Sequence, residues 1–386
     1  MSDNPLRKLH DFGQSVWYDN IGRDLLVNGD LERMIRDDGV RGLTSNPTIF
    51  QKAIAESDGY DHAIGDLVEM GLGTDELLDT LTSQDVAMAA DLLRPVYAQA
   101  GHRDGFVSIE AAPSLAYEVE GTIEEARRLR SLVARDNLLV KVPATTHGVE
   151  AIHRLISEGL SVNVTLIFSL DRYREVIEAY ISGLERLVER RAAGEALSEP
   201  REVHSVASFF VSRVDSKVDS ALRKMIELTE DQGRVERLRA LLGKAAVANA
   251  KLAYQEFLQT FSGARWDALA VRGANLQRPL WASTSTKDPE YRDVLYVEEL
   301  IGPDTVNTMP QVTLDAFRDH GRVAGTVTRD TDEARRQLAE LEAEGVSMAE
   351  VTAQLESEGV KAFADSFDAL RRALDEKRRA LVAAGA

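Results

Sequence analysis

The stretch Asn137-Leu-Leu-Val-Lys-Val-Pro-Ala-Thr145 sets a lysine, Lys141, in the middle of an apolar run. Such a run reads as a buried β-strand with one charge inside it. An unpaired ammonium is costly to bury, so a lysine placed this way tends to give up its proton and become a usable amine. An amine at the end of a parallel strand is what Schiff-base chemistry with a sugar ketone requires. The alternative is a lysine whose apolar neighbours are incidental and whose tip reaches solvent.

Outward from this strand, short apolar or β-branched runs alternate with longer amphipathic stretches, the pattern of repeated βα units. Strands are expected at Val16–Asn20, Gly42–Asn46, Phe106–Glu110, Leu138–Val142, Val162–Phe168, Val206–Val211, Pro279–Ser283 and Thr305–Met309. Eight strands separated by helices predict an α/β fold, a closed (β/α)8 TIM barrel rather than an open sheet. Helices are expected at Ile123–Arg135, with Thr122 and Glu125 as a capping box, and at Gly148–Glu158, stopped by Gly159. Leu170–Gly194 and Ser216–Gly263 supply long helical covers. The segments Pro47–Gly105 and Val214–Gln277 are too long for single crossovers and should each hold two or more helices. From about Thr328 the chain turns Glu/Arg/Ala/Leu-rich, with an apolar stripe through Leu338, Leu341, Leu355, Phe363, Phe367, Leu370 and Leu374. Residues 1–386 are therefore read as one barrel domain carrying a C-terminal helical extension, residues 328–386, packed on the barrel.

Bulk composition narrows the function. The 386 residues carry 46 basic and 64 acidic side chains, a net charge of −18. That balance argues against a nucleic-acid or anionic-membrane surface while leaving room for a local phosphate pocket. There is no cysteine, which removes disulfides, thiolate metal sites and cysteine nucleophiles, and fits a reducing cytoplasm. No secretory signal or bilayer-length apolar segment is present, so a cytoplasmic location is expected. The seven histidines show no metal-ligand spacing. Neither a G-x-G-x-x-G nor a P-loop nor a Gly-x-Ser-x-Gly elbow occurs, so no cofactor or metal is expected.

In a barrel, alternate strand residues point inward and chemistry sits at the C-terminal strand ends. Asp19 ends the first strand; Thr44 and Asn46 share a face of the second, Ser108 and Glu110 of the third, Asn163 and Thr165 of the fifth, Ser208 and Phe210 of the sixth. Each has an ordinary structural role available: Asp19 in a turn, Thr165 in any strand. Polar residues at the same end of five or six strands would nevertheless converge on one cavity around Lys141. There Lys141 would attack a ketose carbonyl, and the resulting iminium would act as an electron sink while a C–C bond breaks. Asp19 and Glu110 supply two carboxylates for proton transfer, and Thr165 can hold a relay water. Asn46 and Asn163 can hydrogen-bond sugar hydroxyls without adding charge.

Four strings carry a resemblance to a known family: Leu43-Thr-Ser-Asn-Pro-Thr-Ile-Phe50, Val140-Lys-Val-Pro-Ala-Thr145, Ser161-Val-Asn-Val-Thr-Leu-Ile-Phe168 and Ala207-Ser-Phe-Phe-Val-Ser-Arg-Val-Asp215. In this order they resemble transaldolase, from about residue 10 to the end. The resemblance implies a class I mechanism of the non-oxidative pentose phosphate pathway. It would move a dihydroxyacetone unit from sedoheptulose 7-phosphate to glyceraldehyde 3-phosphate, giving erythrose 4-phosphate and fructose 6-phosphate. Lys141 then matches the Schiff-base lysine, Asp19 the acid/base for C–C cleavage, and Glu110 with Thr165 the pair managing the catalytic water. Asn46, Asn163 and Ser208 match substrate-hydroxyl contacts, Phe210 lines the site, and Arg213 matches a phosphate-binding arginine. The family often has a second arginine two residues beyond the serine of the seventh strand, where this chain has Ser285; Ser283 and Lys287 are expected to share the phosphate instead. The extra length suggests a longer bacterial-type subfamily, acting as a monomer or homodimer on phosphorylated sugars. A fructose 6-phosphate aldolase-type enzyme, and more distantly a non-catalytic barrel scaffold, are the competing readings.

Overall fold

Eight parallel strands close on themselves in chain order: β1 (Gln14–Tyr18), β2 (Gly42–Thr44), β3 (Phe106–Glu110), β4 (Leu138–Pro143), β5 (Val162–Ile167), β6 (Ser205–Phe210), β7 (Gln277–Ala282) and β8 (Thr305–Met309). This computed structural model describes residues 4–385. The seam is a five-residue ladder from Gln14↔Thr305 to Tyr18↔Met309. The expected (β/α)8 TIM barrel is the fold, with added helices.

The strand residues explain the closure. Leu138, Val140 and Val142 of β4 are fully buried on its outer face, as are Ile152, Leu155 and Ile156 of the helix that follows. Each such side chain contributes about 1.5–3 kcal/mol on leaving water. That helix, Thr146–Ser157, begins where Thr145 accepts a hydrogen bond from Gly148 N, and Gly159 stops it at φ +85°. At the other mouth, Asp104 accepts from the Ser15 hydroxyl at 2.5 Å and the Trp17 indole at 2.9 Å, and faces Arg278 at 3.5 Å. It thereby ties β1 to β7 at the end remote from any chemistry.

Several boundaries differ from expectation. β1 ends at Tyr18 rather than Asn20, although Asp19 N still donates to Met309 O. β2 stops at Thr44, because Asn46 caps the helix Pro47–Glu56 instead of continuing the strand. β6 spans Ser205–Phe210, and the next helix begins at Ser212 rather than Ser216. β7 ends at Ala282; Ser283 adopts φ +56° and leaves the sheet. The predicted Thr122 cap is wrong: the helix runs Val119–Val133, and Thr122 donates from inside it to Leu115 O. Glu125 pairs with Arg128 at 2.7 Å. The box signature is consumed because the chain enters through the turn Pro113–Leu115, one helical turn earlier.

The long segments do contain several helices: Pro47–Glu56, Asp61–Glu69 and Thr74–Gln99 in the first, and Ser212–Leu228, Gln232–Leu241, Ala245–Thr260 and Ala264–Ala270 in the second. The last two helices are Thr331–Glu344 and Met348–Gly385, the latter 38 residues long. Leu341, Leu355, Phe363, Leu370 and Leu374 along them are buried. Among the described residues no helix is long and apolar enough to cross a membrane.

One buried carboxylate outside the barrel mouth makes stability pH-dependent. Asp215, in the first turn of Ser212–Leu228, accepts from Ala246 N at 2.7 Å and from the Tyr296 hydroxyl at 2.9 Å. Burial, reinforced by Asp219, pushes its carboxyl up to about 7 against these two bonds. The folded protein thus holds a proton that the unfolded chain has lost. Stability should fall as pH rises from the ordinary carboxylate range to about 7, by on the order of 1 kcal/mol per pH unit, then level off. Asp215→Asn should flatten that slope. Denaturant unfolding of both proteins at pH 5 and pH 8 checks it; a wild-type-minus-variant difference equal at both pH values would refute the assignment.

Candidate active site

Strand register brings the central groups together. Glu110 lies opposite Lys141, and Lys141 opposite Asn163, on three adjacent strands. Paired residues of a parallel sheet point to the same face, here the barrel interior. Lys141 Nζ stands 2.7 Å from Glu110 Oε2 and donates to Ser45 O at 3.0 Å. Both side chains of the pair are 7 % exposed. Lys141 is therefore ion-paired with one of the two carboxylates expected around it, and its tip does not reach bulk solvent.

Asn163 and Ser208 continue the ring. Ser208 Oγ donates to Asn163 Oδ1 at 2.7 Å, and Asn163 Nδ2 donates to Ser108 Oγ at 3.0 Å. This chain fixes the Asn163 amide and leaves its second N–H available. Thr165 Oγ1 is buried and has no hydrogen-bond partner among the described residues. An unsatisfied buried hydroxyl is costly, so it marks a place for a polar guest. β5 is irregular here: its register to β6 shifts between Val164 and Ile167, and Leu166 sits at φ +60°. Bulges of this kind re-aim side chains near functional sites.

Asp19 lies just past β1, partly buried. Thr44 Oγ1 donates to Asp19 Oδ1 at 2.6 Å and lies 2.7 Å from Thr308 Oγ1. Thr44 has one proton and gives it to Asp19, so Thr308 must be the donor in the second contact. Burial raises the Asp19 carboxyl above its usual range, opposed by the Thr44 bond and by the charges of Lys141 and Arg213. Burial likewise raises Glu110, opposed by Lys141 and assisted by Asp19. Two carboxylates with raised proton affinity flank one lysine.

Of the remaining predicted residues, Arg213, Phe210, Ser283 and Asn46 border this centre and Lys287 lies outside it. Arg213 lies with its guanidinium 5.1 Å from the centroid of the Phe210 ring, which in turn packs on Phe168. It makes no hydrogen bond or ion pair among the described residues, and burial lowers its proton affinity. Ser283 Oγ is 2.9 Å from Ser212 Oγ, beside Arg213. Lys287 is exposed and lines a separate cavity with Asp219 and Arg223, though the Arg213 charge still adds to burial in lowering its proton affinity. Asn46 spends its Oδ1 on Ile49 N, at 3.0 Å, leaving its amide N–H groups free. It borders a cavity of about 280 Å³ that reaches Ser45 and Glu110.

Three contacts were not anticipated. Thr308 orders the proton on Thr44, and the Ser45 carbonyl holds the lysine. Phe363, on the helix Met348–Gly385, places its ring centroid 5.7 Å from Lys141 Nζ. The alternation in Thr305-Val-Asn-Thr-Met309 could have exposed Thr308, whereas Phe363 reads as one more apolar stripe residue.

The chain resembles known proteins over nearly its whole length. The pattern defining the family "Transaldolase/Fructose-6-phosphate aldolase" matches residues 16–374. The chain belongs to the transaldolase/fructose-6-phosphate aldolase family. Within that family it is 50% identical to "Transaldolase" of Thermobifida fusca over 368 residues, covering 95% of this chain and 96% of the relative. It is 51% identical to "Transaldolase 1" of Streptomyces avermitilis, covering 93% and 91% of the two chains. "Transaldolase" of Mycobacterium marinum is 47% identical, with 98% and 99% covered. The family match thus extends past Phe363, and these relatives share nearly the whole length.

Proposed function

We propose that this protein is a transaldolase working through a Schiff base on Lys141, in the cytoplasm, moving a dihydroxyacetone unit from sedoheptulose 7-phosphate to glyceraldehyde 3-phosphate. The observation that carries this reading is the Lys141–Glu110 pair at 2.7 Å inside the C-terminal mouth of the barrel. Glu110, with its raised proton affinity, takes the ammonium proton and frees the amine. The Nζ lone pair attacks the ketose carbonyl, forming a C–N bond and a carbinolamine. Loss of water, protonated through Glu110 and steadied by the free Thr165 hydroxyl, gives the iminium.

Asp19 then accepts the proton of the hydroxyl adjacent to the bond being broken. The C–C electron pair moves into the iminium, the aldehyde leaves, and an enamine of three carbons remains on Lys141. The acceptor aldehyde reverses these steps, with Asp19 returning its proton. Arg213, unpaired in a chain of net charge −18, suits the substrate phosphate, with the Ser283 hydroxyl beside it and Lys287 contributing at longer range. The free N–H groups of Asn46 and Asn163 suit sugar hydroxyls, and Phe210 walls the phosphate side.

The competing fructose 6-phosphate aldolase reading uses the same lysine and differs in its acceptor. Fructose 6-phosphate turnover should depend strongly on added erythrose 4-phosphate. Equal turnover without any acceptor aldehyde would favour the aldolase.

A further inference from the structure

The helix Met348–Gly385 crosses the barrel mouth with a single face. At Gly359, an added Cβ would meet Leu166 Cδ2 at 2.9 Å and Arg213 Nη1 at 3.7 Å. One turn on, Phe363 is 7 % exposed and stands over Lys141. A further turn on, Phe367 walls the cavity that reaches Glu110. Residues four apart lie above one another on a helix, so one stripe passes the arginine, the lysine and the carboxylate in turn. The absence of a side chain at Gly359 lets the helix come this close.

The helix is fastened on both rims. Glu356 pairs with Arg172 at 3.3 Å and Glu358 with Lys217 on one side. On the other, Ser366 bonds Thr48 at 2.8 Å, Arg371 pairs with Asp75 at 2.7 Å, and Lys377 with Asp61 at 2.5 Å. Single exposed pairs contribute little, but a set spread along one helix fixes its register over the site.

We infer that Phe363 is a specificity-determining residue: its ring keeps bulk water from the three-carbon unit on Lys141, so that unit meets an aldehyde rather than a proton donor. This rests on the Schiff-base reading above. The competing step consumes one water. The enamine carbon takes a proton from water to give an iminium; hydroxide adds to the iminium carbon, and the C–N bond breaks. One enamine and one water thus yield free dihydroxyacetone and the lysine amine. Lys141 Nζ has the Glu110 carboxylate and the Ser45 carbonyl as its other neighbours, so the ring supplies the apolar wall. Shielding a reactive intermediate in this way is a recognised use of a closed site.

The test compares dihydroxyacetone released from fructose 6-phosphate alone with transfer to erythrose 4-phosphate. Phe363→Ala should raise the ratio of release to transfer by about tenfold or more, and Phe363→Leu, which keeps an apolar anchor, by less. Leu374→Ala, also buried on the same helix but outside the site, should leave the ratio unchanged. Borohydride trapping by the Phe363 variants should stay intact, separating loss of the roof from loss of the nucleophile. A ratio within twofold of wild type in Phe363→Ala, with trapping intact, overturns the inference; so does an equal rise in Leu374→Ala. A wild-type protein that traps nothing overturns the Schiff-base reading itself.

Discussion

Replacing Lys141 by methionine should bring sugar transfer below detection and abolish covalent capture of substrate. Methionine keeps the volume of the lysine stem under Phe363, so the change removes the nucleophile with little repacking. Glu110 would lose its partner at 2.7 Å, and its already raised proton affinity lets it go neutral rather than remain a buried bare charge. The measurement is borohydride reduction in the presence of fructose 6-phosphate, followed by intact mass and peptide mapping. Wild type should gain a reduced three-carbon adduct on Lys141, and Lys141→Met should gain none. An adduct that persists in the variant would assign the chemistry to another amine and discard the mechanism.

Asp19→Asn should separate binding from cleavage. The amide keeps an oxygen for the Thr44 hydroxyl at the 2.6 Å contact but cannot take a substrate proton. Removing a general base typically costs 10²–10⁴-fold, so turnover should drop by about that range. Capture should survive, because amine addition precedes the step that needs Asp19. The trapped species should then be the intact six-carbon ketose rather than its three-carbon fragment. Mass analysis of the adduct decides: a three-carbon adduct formed at the wild-type rate would exclude Asp19 from C–C cleavage.

How much of this was readable in the sequence depends on the distance over which each feature is decided. β3 and β8 are placed to the residue and the other strands to within about two, because apolar alternation is local. Strand ends such as Asn46 and Ser283 depart from that local pattern because a cap and a left-handed turn take over from the sheet. That Lys141 stands in the interior could be argued from its neighbours. That Glu110 is its direct partner could not, since cross-strand register is a property of the closed barrel. Phe363 belongs to the apolar stripe, but periodicity tells which face of a helix is buried, not what lies beneath.

The hydroxyl relay from Thr308 through Thr44 to Asp19 joins the last strand of the barrel to the end of the first. The carboxylate proposed to handle the proton is thus aimed by a residue some 290 positions downstream. On the proposed mechanism, catalytic competence and topological completion coincide. A chain whose final strand has not yet docked would own the lysine, the carboxylates and most of the hydrophobic core, yet Asp19 would lack the Met309 carbonyl on its N–H and the Thr308 hydroxyl behind Thr44. An excursion that parts the seam between the first and last strands would loosen the aim of that carboxylate while leaving Lys141 and Glu110, on strands three and four, in register.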